Sequence, residues 1–424
     1  MSRILVKKSA PLKGEIKVSG SKNAVLPLMA ATLLTEEECV IGQVPNLRDT
    51  RVMSDLIASF GAASHFDIPA GTLTVKAERI TSVEPDSTLV AKMRASIVTM
   101  GPILARTGKA MFPLPGGCNI GERPIDLHLK GFTALGAHVV IDNDAGYVLA
   151  EAEELIGATI YLDSPSVGAT ENIMMAAALA KGTTYIENAA QEPEIIDLAR
   201  FLNMMGAKIR NAGDDTIRID GVEQLHGASH EVIPDRIEAA TYMLISAVSC
   251  GDVTITNMEP SHVKAITAKI RETGVKVDEF DDSVRVYIEE GDCNQRKTTE
   301  IRTMPYPGFP TDAQPQFMAY LSTIDGQSHF LETVFENRYM HVAELNKLGA
   351  NIIDTDRKAV VTGVETLHGA EVRATDLRAG AALIIAGVVA EGETYISDIY
   401  HVERGYDDII GKLRGIGANI SLVD

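Results

Sequence analysis

The chain has 424 residues, enough for two or three domains, and at 45% apolar and 23% charged it carries material for substantial cores. Trp is absent, aromatics are 5%, and 39 Lys plus Arg against 58 Asp plus Glu give a formal charge of −19. That balance leaves little for base stacking and opposes general binding to phosphate backbones, so no nucleic-acid partner is expected.

The first residues lack the apolar core of a signal peptide. The longest apolar run, Ala379 to Ala390, is 12 residues, against the roughly 20 that cross a bilayer. Cys39, Cys118, Cys250 and Cys293 fall in no metal-ligand spacing. The expectation is a cytoplasmic protein with free thiols, no metal and no membrane insertion.

In chain order, six stretches read as an amphipathic helix closed by a small turn. They are Leu56 to Ala62, Leu129 to Ala137, Leu198 to Ala207, Ile266 to Val275, Val342 to Ala350 and Ile410 to Ala418. Their turn glycines (61, 136, 206, 274, 349 and 417) are spaced by 75, 70, 68, 75 and 68 residues. Glycine suits this place because the residue after a last helical turn commonly adopts a left-handed conformation. A glycine-led strand precedes several of these helices, as in Gly182 to Asn188, Gly251 to Asn257 and Gly392 to Asp398. Upstream of it a loop opens a small-residue-rich helix, as at Ser19 to Ala24, Ser166 to Thr170 and Ala374 to Arg378; Asp235 to Glu238 and Pro310 to Asp312 occupy the same place.

Each unit therefore reads βαβαββ, and helices apolar on all sides belong inside. Solenoid repeats are shorter and need polar caps, so an α/β fold of two three-unit domains is expected, with the change-over near Gly227 to Asp235.

A helix N-terminus offers unpaired N–H groups and partial positive charge, an anion site in waiting. Several entrances also carry a charged residue: Lys22, Arg94, Asp312 and Arg378. In so acidic a chain, grouped cations are how an anionic substrate would be held locally. The stretch from Leu114 to His128 packs three Gly and two Pro around Cys118 and Arg123, which reads as an adaptable exposed loop. A thiol beside a cation there is a candidate thiolate or proton donor, weighed against an incidental loop cysteine. Ser19 to Lys22 fits S-x-x-K, but its companion elements are missing, and neither a P-loop nor a strand–G-x-G-x-x-G–helix occurs. The ten His show no ligand spacing.

Several motifs together resemble the bacterial UDP-N-acetylglucosamine 1-carboxyvinyltransferases, of the enolpyruvyl transferase family. They are Ser19 to Asn23, Pro115 to Cys118 with Arg123 to His128, Ser166 to Thr170, Phe309 to Asp312, Phe335 to Arg338, Ala374 to Arg378 and His401 to Tyr406. The likeness spans essentially the whole chain. It implies two inside-out α/β barrel-like domains, residues 22–233 and residues 1–21 plus 234–424, facing across a cleft that closes on substrate. It also implies transfer of the enolpyruvyl group of phosphoenolpyruvate to the 3′-hydroxyl of UDP-N-acetylglucosamine with release of phosphate. This is the first committed step of peptidoglycan synthesis, and it uses no cofactor.

By the same resemblance, Asp312 takes the hydroxyl proton and Cys118 donates to C3 of phosphoenolpyruvate and is the residue fosfomycin alkylates. Lys22, Asn23, Arg123, Arg338 and Arg404 would bind phosphoenolpyruvate. Arg94, Arg123, Pro124, Ile125, Asp126, Leu127, Ser164, Pro165, Ser166, Val167, Thr311, Asp312 and Val334 would hold the UDP-sugar, with Asp376 and Arg378 in support. Ser164 stands where some members carry Lys, so one diphosphate contact is weaker here or comes from another group. The alternatives are a 5-enolpyruvylshikimate-3-phosphate synthase-like transferase, which lacks the Gly-Gly-Cys loop, and a catalytically silent UDP-sugar-binding paralogue.

Overall fold

The computed structural model describes residues 2–114 and 125–424. The described chain falls into two compact units, one of residues 2–19 with 234–424 and one of residues 20–114 with 125–233. Each has its own hydrophobic core. The chain passes from one unit to the other at Ser19/Gly20 and again at Ile233/Pro234.

The repeat is plainest between residues 159 and 220. Strand Thr159–Tyr161 leads into helix Val167–Ala178, then strand Thr183–Glu187, helix Pro193–Met204 and strands Lys208–Arg210 and Thr216–Asp220. Thr183–Glu187 runs parallel to the first strand, with Tyr185 opposite Thr159, and antiparallel to Thr216–Asp220. A right-handed crossover helix between parallel strands is what such a unit requires. Five of the six sheets have four strands each. The second repeat shows three among the described residues, Lys109–Pro113, Tyr147–Glu151 and His138–Asp142.

Three repeats borrow a strand from a distant part of the chain. Strand Glu38–Gly42 takes Ser229–Glu231 as its parallel neighbour, with Ser229 opposite Val40. Strand Lys13–Lys17 lies parallel to Asp252–Thr256, and Arg3–Lys7 sits between Glu393–Ser397 and Asn419–Val423. Alternation drives these pairings: in Asp252–Thr256 only Val253 and Ile255 turn into the core, each 0% exposed.

Within each unit the apolar helices lie innermost. Helix Arg236–Val248 is buried from Ile237 to Val248, and helix Leu377–Val389 from Arg378 to Val388. Each fully covered Leu or Ile contributes about 1.5–3 kcal/mol by leaving water. The packing admits no side chain at Gly380, where a Cβ would stand 2.4 Å from Val402. The outer helices bury only a stripe, as Ile266, Thr267 and Ile270 do in Lys264–Glu272. The six turn glycines all adopt φ between +88° and +103°, the left-handed region in which a Cβ is costly.

One expectation fails. Cys250 and Cys293 are not free thiols but are joined as a disulfide across 43 residues, with Cα atoms 5.7 Å apart. Spacing in sequence gave no hint of it, because the strands between them fold back and return Cys293 to the end of helix Arg236–Val248. Cys39 is free and buried in strand Glu38–Gly42. No helix of the described residues is long and apolar enough to cross a membrane.

Candidate active site

In the unit holding residues 234–424, the entrances of helices Arg236–Val248, Gln314–Leu321 and Leu377–Val389 are N-capped or preceded by aspartates. Asp235 accepts from the N–H groups of Ile237 (2.8 Å) and Glu238 (2.9 Å). Asp376 accepts from those of Arg378 (2.8 Å) and Ala379 (3.1 Å). Asp312 lies in the short 3-10 turn Thr311–Ala313 that opens Gln314–Leu321.

These carboxylates hold two buried guanidiniums. Arg338 donates through Nη2 to Asp312 Oδ1 (3.2 Å) and through Nη1 to Asp376 Oδ1 (3.5 Å). Arg378 donates to Asp312 Oδ2 through Nε (3.2 Å) and Nη2 (3.1 Å), a forked, charge-assisted contact. Side-chain exposure is 1% for Arg338 and 3% for Arg378, against 28% for Asp312. Burial opposes the charge on Arg378, but Asp312, then Tyr406 and Asp235, hold its acidity well below the ordinary guanidinium level. The cluster therefore keeps its positive charges inside and turns a carboxylate outward. Arg338 Nε, Arg378 Nη1 and Asp376 Oδ2 are buried with no hydrogen-bond partner among the described residues.

Thr311 and Val334 flank this carboxylate through a residue the sequence reading missed. Glu332, 1% exposed, follows strand Gln327–Leu331. Its Oε2 accepts from the Thr311 hydroxyl (2.9 Å), and its Oε1 from the Thr303 hydroxyl (2.8 Å) and the N–H groups of Val334 (2.8 Å) and Phe335 (3.1 Å). A lone acid among apolar neighbours at a strand end was the available signal. Arg404 ends the 3-10 helix Ile399–Arg404. Burial and then Arg404 push His401 below its ordinary value while Asp376 pulls it up, so both charges stand within reach of that ring.

In the other unit, Lys22 is the first residue of helix Lys22–Ala31, capped by Ser21, which accepts from Ala24 N–H at 3.3 Å. Lys22 Nζ lies 2.9 Å from Asp49 Oδ2, with side-chain exposures of 12% and 3%. Asp49, in the first turn of Arg48–Ser59, was also missed. Asn23 is half-buried beside Lys22.

Arg94 opens the 3-10 stretch Arg94–Thr99, Ile125 precedes helix Asp126–Ala134, and Ser166 caps Val167–Ala178 by accepting from Ala169 N–H at 3.4 Å. Arg94, Ile125, Leu127, Ser166 and Val167 are half-buried, and Asp126, Ser164 and Pro165 are exposed. Next to Ser164, Asp163 accepts from Lys130 at 2.8 Å. Cys118, Arg123 and Pro124 lie outside the described residues. Among the described residues no group of three or more His, Cys, Asp or Glu could hold a metal ion.

Comparison with known proteins places these features in a family. The EPSP synthase (3-phosphoshikimate 1-carboxyvinyltransferase) family model matches residues 6–413. The chain is 56% identical over 419 residues to a UDP-N-acetylglucosamine 1-carboxyvinyltransferase 1 of Caldanaerobacter subterraneus subsp. tengcongensis, covering 99% of both chains. It is 52% identical over 426 residues to a UDP-N-acetylglucosamine 1-carboxyvinyltransferase of Finegoldia magna, covering 100% of this chain and 99% of that one. Among solved structures, the enolpyruvyl transferase NikO from Streptomyces tendae superposes with a TM-score of 0.88 at 26% identity, covering 100% of this chain and 99% of that one. An EPSP synthase from Acinetobacter baumannii shares the fold, with a TM-score of 0.77 at 16% identity and full coverage of both chains.

Proposed function

Because the chain belongs to the EPSP synthase family of enolpyruvyl transferases, and within it to the UDP-N-acetylglucosamine 1-carboxyvinyltransferases, we propose that it moves the enolpyruvyl group of phosphoenolpyruvate to the 3′-hydroxyl of UDP-N-acetylglucosamine and releases phosphate. That is the first committed step of peptidoglycan synthesis, carried out in the cytoplasm.

Protonation of C3 of phosphoenolpyruvate makes C2 electrophilic. The sugar hydroxyl attacks C2 as it loses its proton, and the tetrahedral adduct then expels phosphate while C3 gives back a proton. The observation that carries the reading is the placement of Asp312. Its carboxylate is the exposed end of an otherwise buried ion cluster. Two guanidiniums fix its orientation, and a carboxylate so held is the group type that takes up a hydroxyl proton.

Arg338 and Arg378 stand behind Asp312 and fix it, and Asp376 fixes Arg338. Lys22, Asn23, Arg123 and Arg404 take the phosphate and carboxylate of phosphoenolpyruvate, since a polyanion needs several donors. Arg94, residues 123–127, Ser164 to Val167, Thr311 and Val334 hold the UDP-sugar, and Cys118 donates the proton to C3.

The test is phosphate release from phosphoenolpyruvate with and without UDP-N-acetylglucosamine, with shikimate 3-phosphate as the rival acceptor. Release that requires the UDP-sugar supports the reading. Release with shikimate 3-phosphate alone transfers it to the sister activity, and binding without release makes the chain a silent UDP-sugar binder.

A further inference from the structure

Asn172 is 0% exposed in the second turn of helix Val167–Ala178, and its amide makes three bonds. Nδ2 donates to the Ile97 carbonyl (2.8 Å) and meets His128 Nδ1 (3.0 Å), while Oδ1 accepts from the Gly101 N–H (2.6 Å). The orientation is unambiguous, because Gly101 N–H can only donate and Ile97 C=O can only accept. His128 Nδ1 must therefore be the acceptor, which puts the ring proton on Nε2.

The neutral ring fits its surroundings. Burial, and then the neighbouring charge of Arg94, push His128 down to about 4. The ring also abuts the first turn of the Asn172 helix, where a Cβ on Gly168 would stand 3.3 Å from His128 Cε1.

The three bonds span 75, 71 and 44 residues of sequence, so no local structure sets these spacings. They tie together the starts of three segments already assigned to the UDP-sugar. Ile97 shares its 3-10 stretch with Arg94, His128 follows Asp126 and Leu127 on one helix, and Asn172 lies a turn and a half beyond Ser166 and Val167. We propose that Asn172, acting through His128, is a positioning residue that holds Arg94, Asp126–Leu127 and Ser166–Val167 in the register that binds the UDP-sugar. This rests on the activity proposed above. Neither side chain need touch substrate; misplacing donors by about an ångström is enough to lose binding.

The experiment compares wild type with Asn172→Ala, His128→Leu and His128→Asn, by calorimetric binding of UDP-N-acetylglucosamine and by KM for each substrate. Asn172→Ala and His128→Leu should weaken UDP-N-acetylglucosamine about tenfold or more, with the phosphoenolpyruvate KM and saturated kcat within about threefold. His128→Asn should stay within about threefold throughout, because the amide oxygen can accept where Nδ1 did. Equal losses for both substrates, an unchanged UDP-sugar affinity in folded Asn172→Ala, or His128→Asn as damaged as His128→Leu would each overturn the proposal. If Asn172→Ala does not fold, the two His128 variants decide. Wild type that fails to bind UDP-N-acetylglucosamine would refute the proposed activity itself.

Discussion

Glu332→Ala tests how the candidate base is held. The substitution deletes four acceptor contacts from a side chain 1% exposed. The Thr303 and Thr311 hydroxyls can turn elsewhere, but the Val334 and Phe335 N–H groups are fixed by the backbone. Two stranded amides at about 1–1.5 kcal/mol each give a loss of about 2–3 kcal/mol. For a unit of about 200 residues that corresponds to a fall of about 4–12 °C in Tm. Calorimetry should show it in one transition, that of the unit containing residues 234–424. Phosphate release should fall about tenfold or more in kcat/KM, because Thr311, Asp312 and Val334 lose their common anchor. Glu332→Gln keeps one oxygen for the three Oε1 contacts and offers the Thr311 hydroxyl a donor, so it should cost under about 1 kcal/mol. An Ala variant within about 1 kcal/mol of wild type, or a Gln variant as damaged as Ala, would refute the reasoning.

Lys22→Ala should lose most phosphoenolpyruvate turnover and some stability, since Asp49 at 3% side-chain exposure loses an ion-pair partner; Lys22→Met with Asp49→Asn should regain the stability but not the turnover, and recovery of both would make Lys22 structural. Ser164→Lys should lower the KM for UDP-N-acetylglucosamine about threefold while leaving that for phosphoenolpyruvate alone; a raised KM would refute a role for this position at the diphosphate. His341 is pushed down to about 4, by burial first and by Arg338 against the pull of Asp376. The unfolded chain therefore takes up the proton first, and stability intact above the ordinary value of 6.5 is lost as pH falls toward 4, by about 3 kcal/mol. His341→Gln should flatten that acid limb in urea titrations, and an unchanged limb would count against it. Fosfomycin should add once, at Cys118, because burial pushes the Cys39 thiol up and Cys250 and Cys293 are paired; Cys118→Asp should stay active and resist, and an adduct elsewhere in peptide mapping would overturn the assignment.

The repeat was legible because its marks are local. A left-handed glycine after each outer helix and an apolar helix on the inside are written in consecutive residues. The borrowed strands were not, because the partner of Glu38–Gly42 lies at Ser229–Glu231, nearly two hundred residues on. The same limit applies at the site. Lys22, Arg94, Asp312 and Arg378 stood out as charges at helix entrances, whereas Glu332, Asp49 and Asn172 act through contacts whose partners are set only by folding. The disulfide was missed for that reason too, since 43 intervening residues say nothing about a 5.7 Å Cα separation.

The repeat also places different chemistry at equivalent positions of the two units. The inner helices have equivalent entrances, but their caps differ. In the unit of residues 20–233 they are Ser21 and Ser166, with a third entrance that has no capping side chain and is followed by Arg94. In the unit of residues 234–424 they are Asp235 and Asp376, with a third that again has no capping side chain and is followed by Thr311 and Asp312. A hydroxyl satisfies an N–H without adding charge, so the positive end of the helix persists and Lys22 and Arg94 add to it. A carboxylate satisfies the same N–H groups and cancels that field, and the surplus of negative charge then recruits Arg338 and Arg378. The first arrangement favours phosphate and carboxylate groups. The second leaves one carboxylate, Asp312, partly exposed at 28% of its side chain, and a proton acceptor must be reachable by the hydroxyl it serves. Exchanging hydroxyl for carboxylate at equivalent caps thus gives two copies of the same fold opposite charge at their helix entrances.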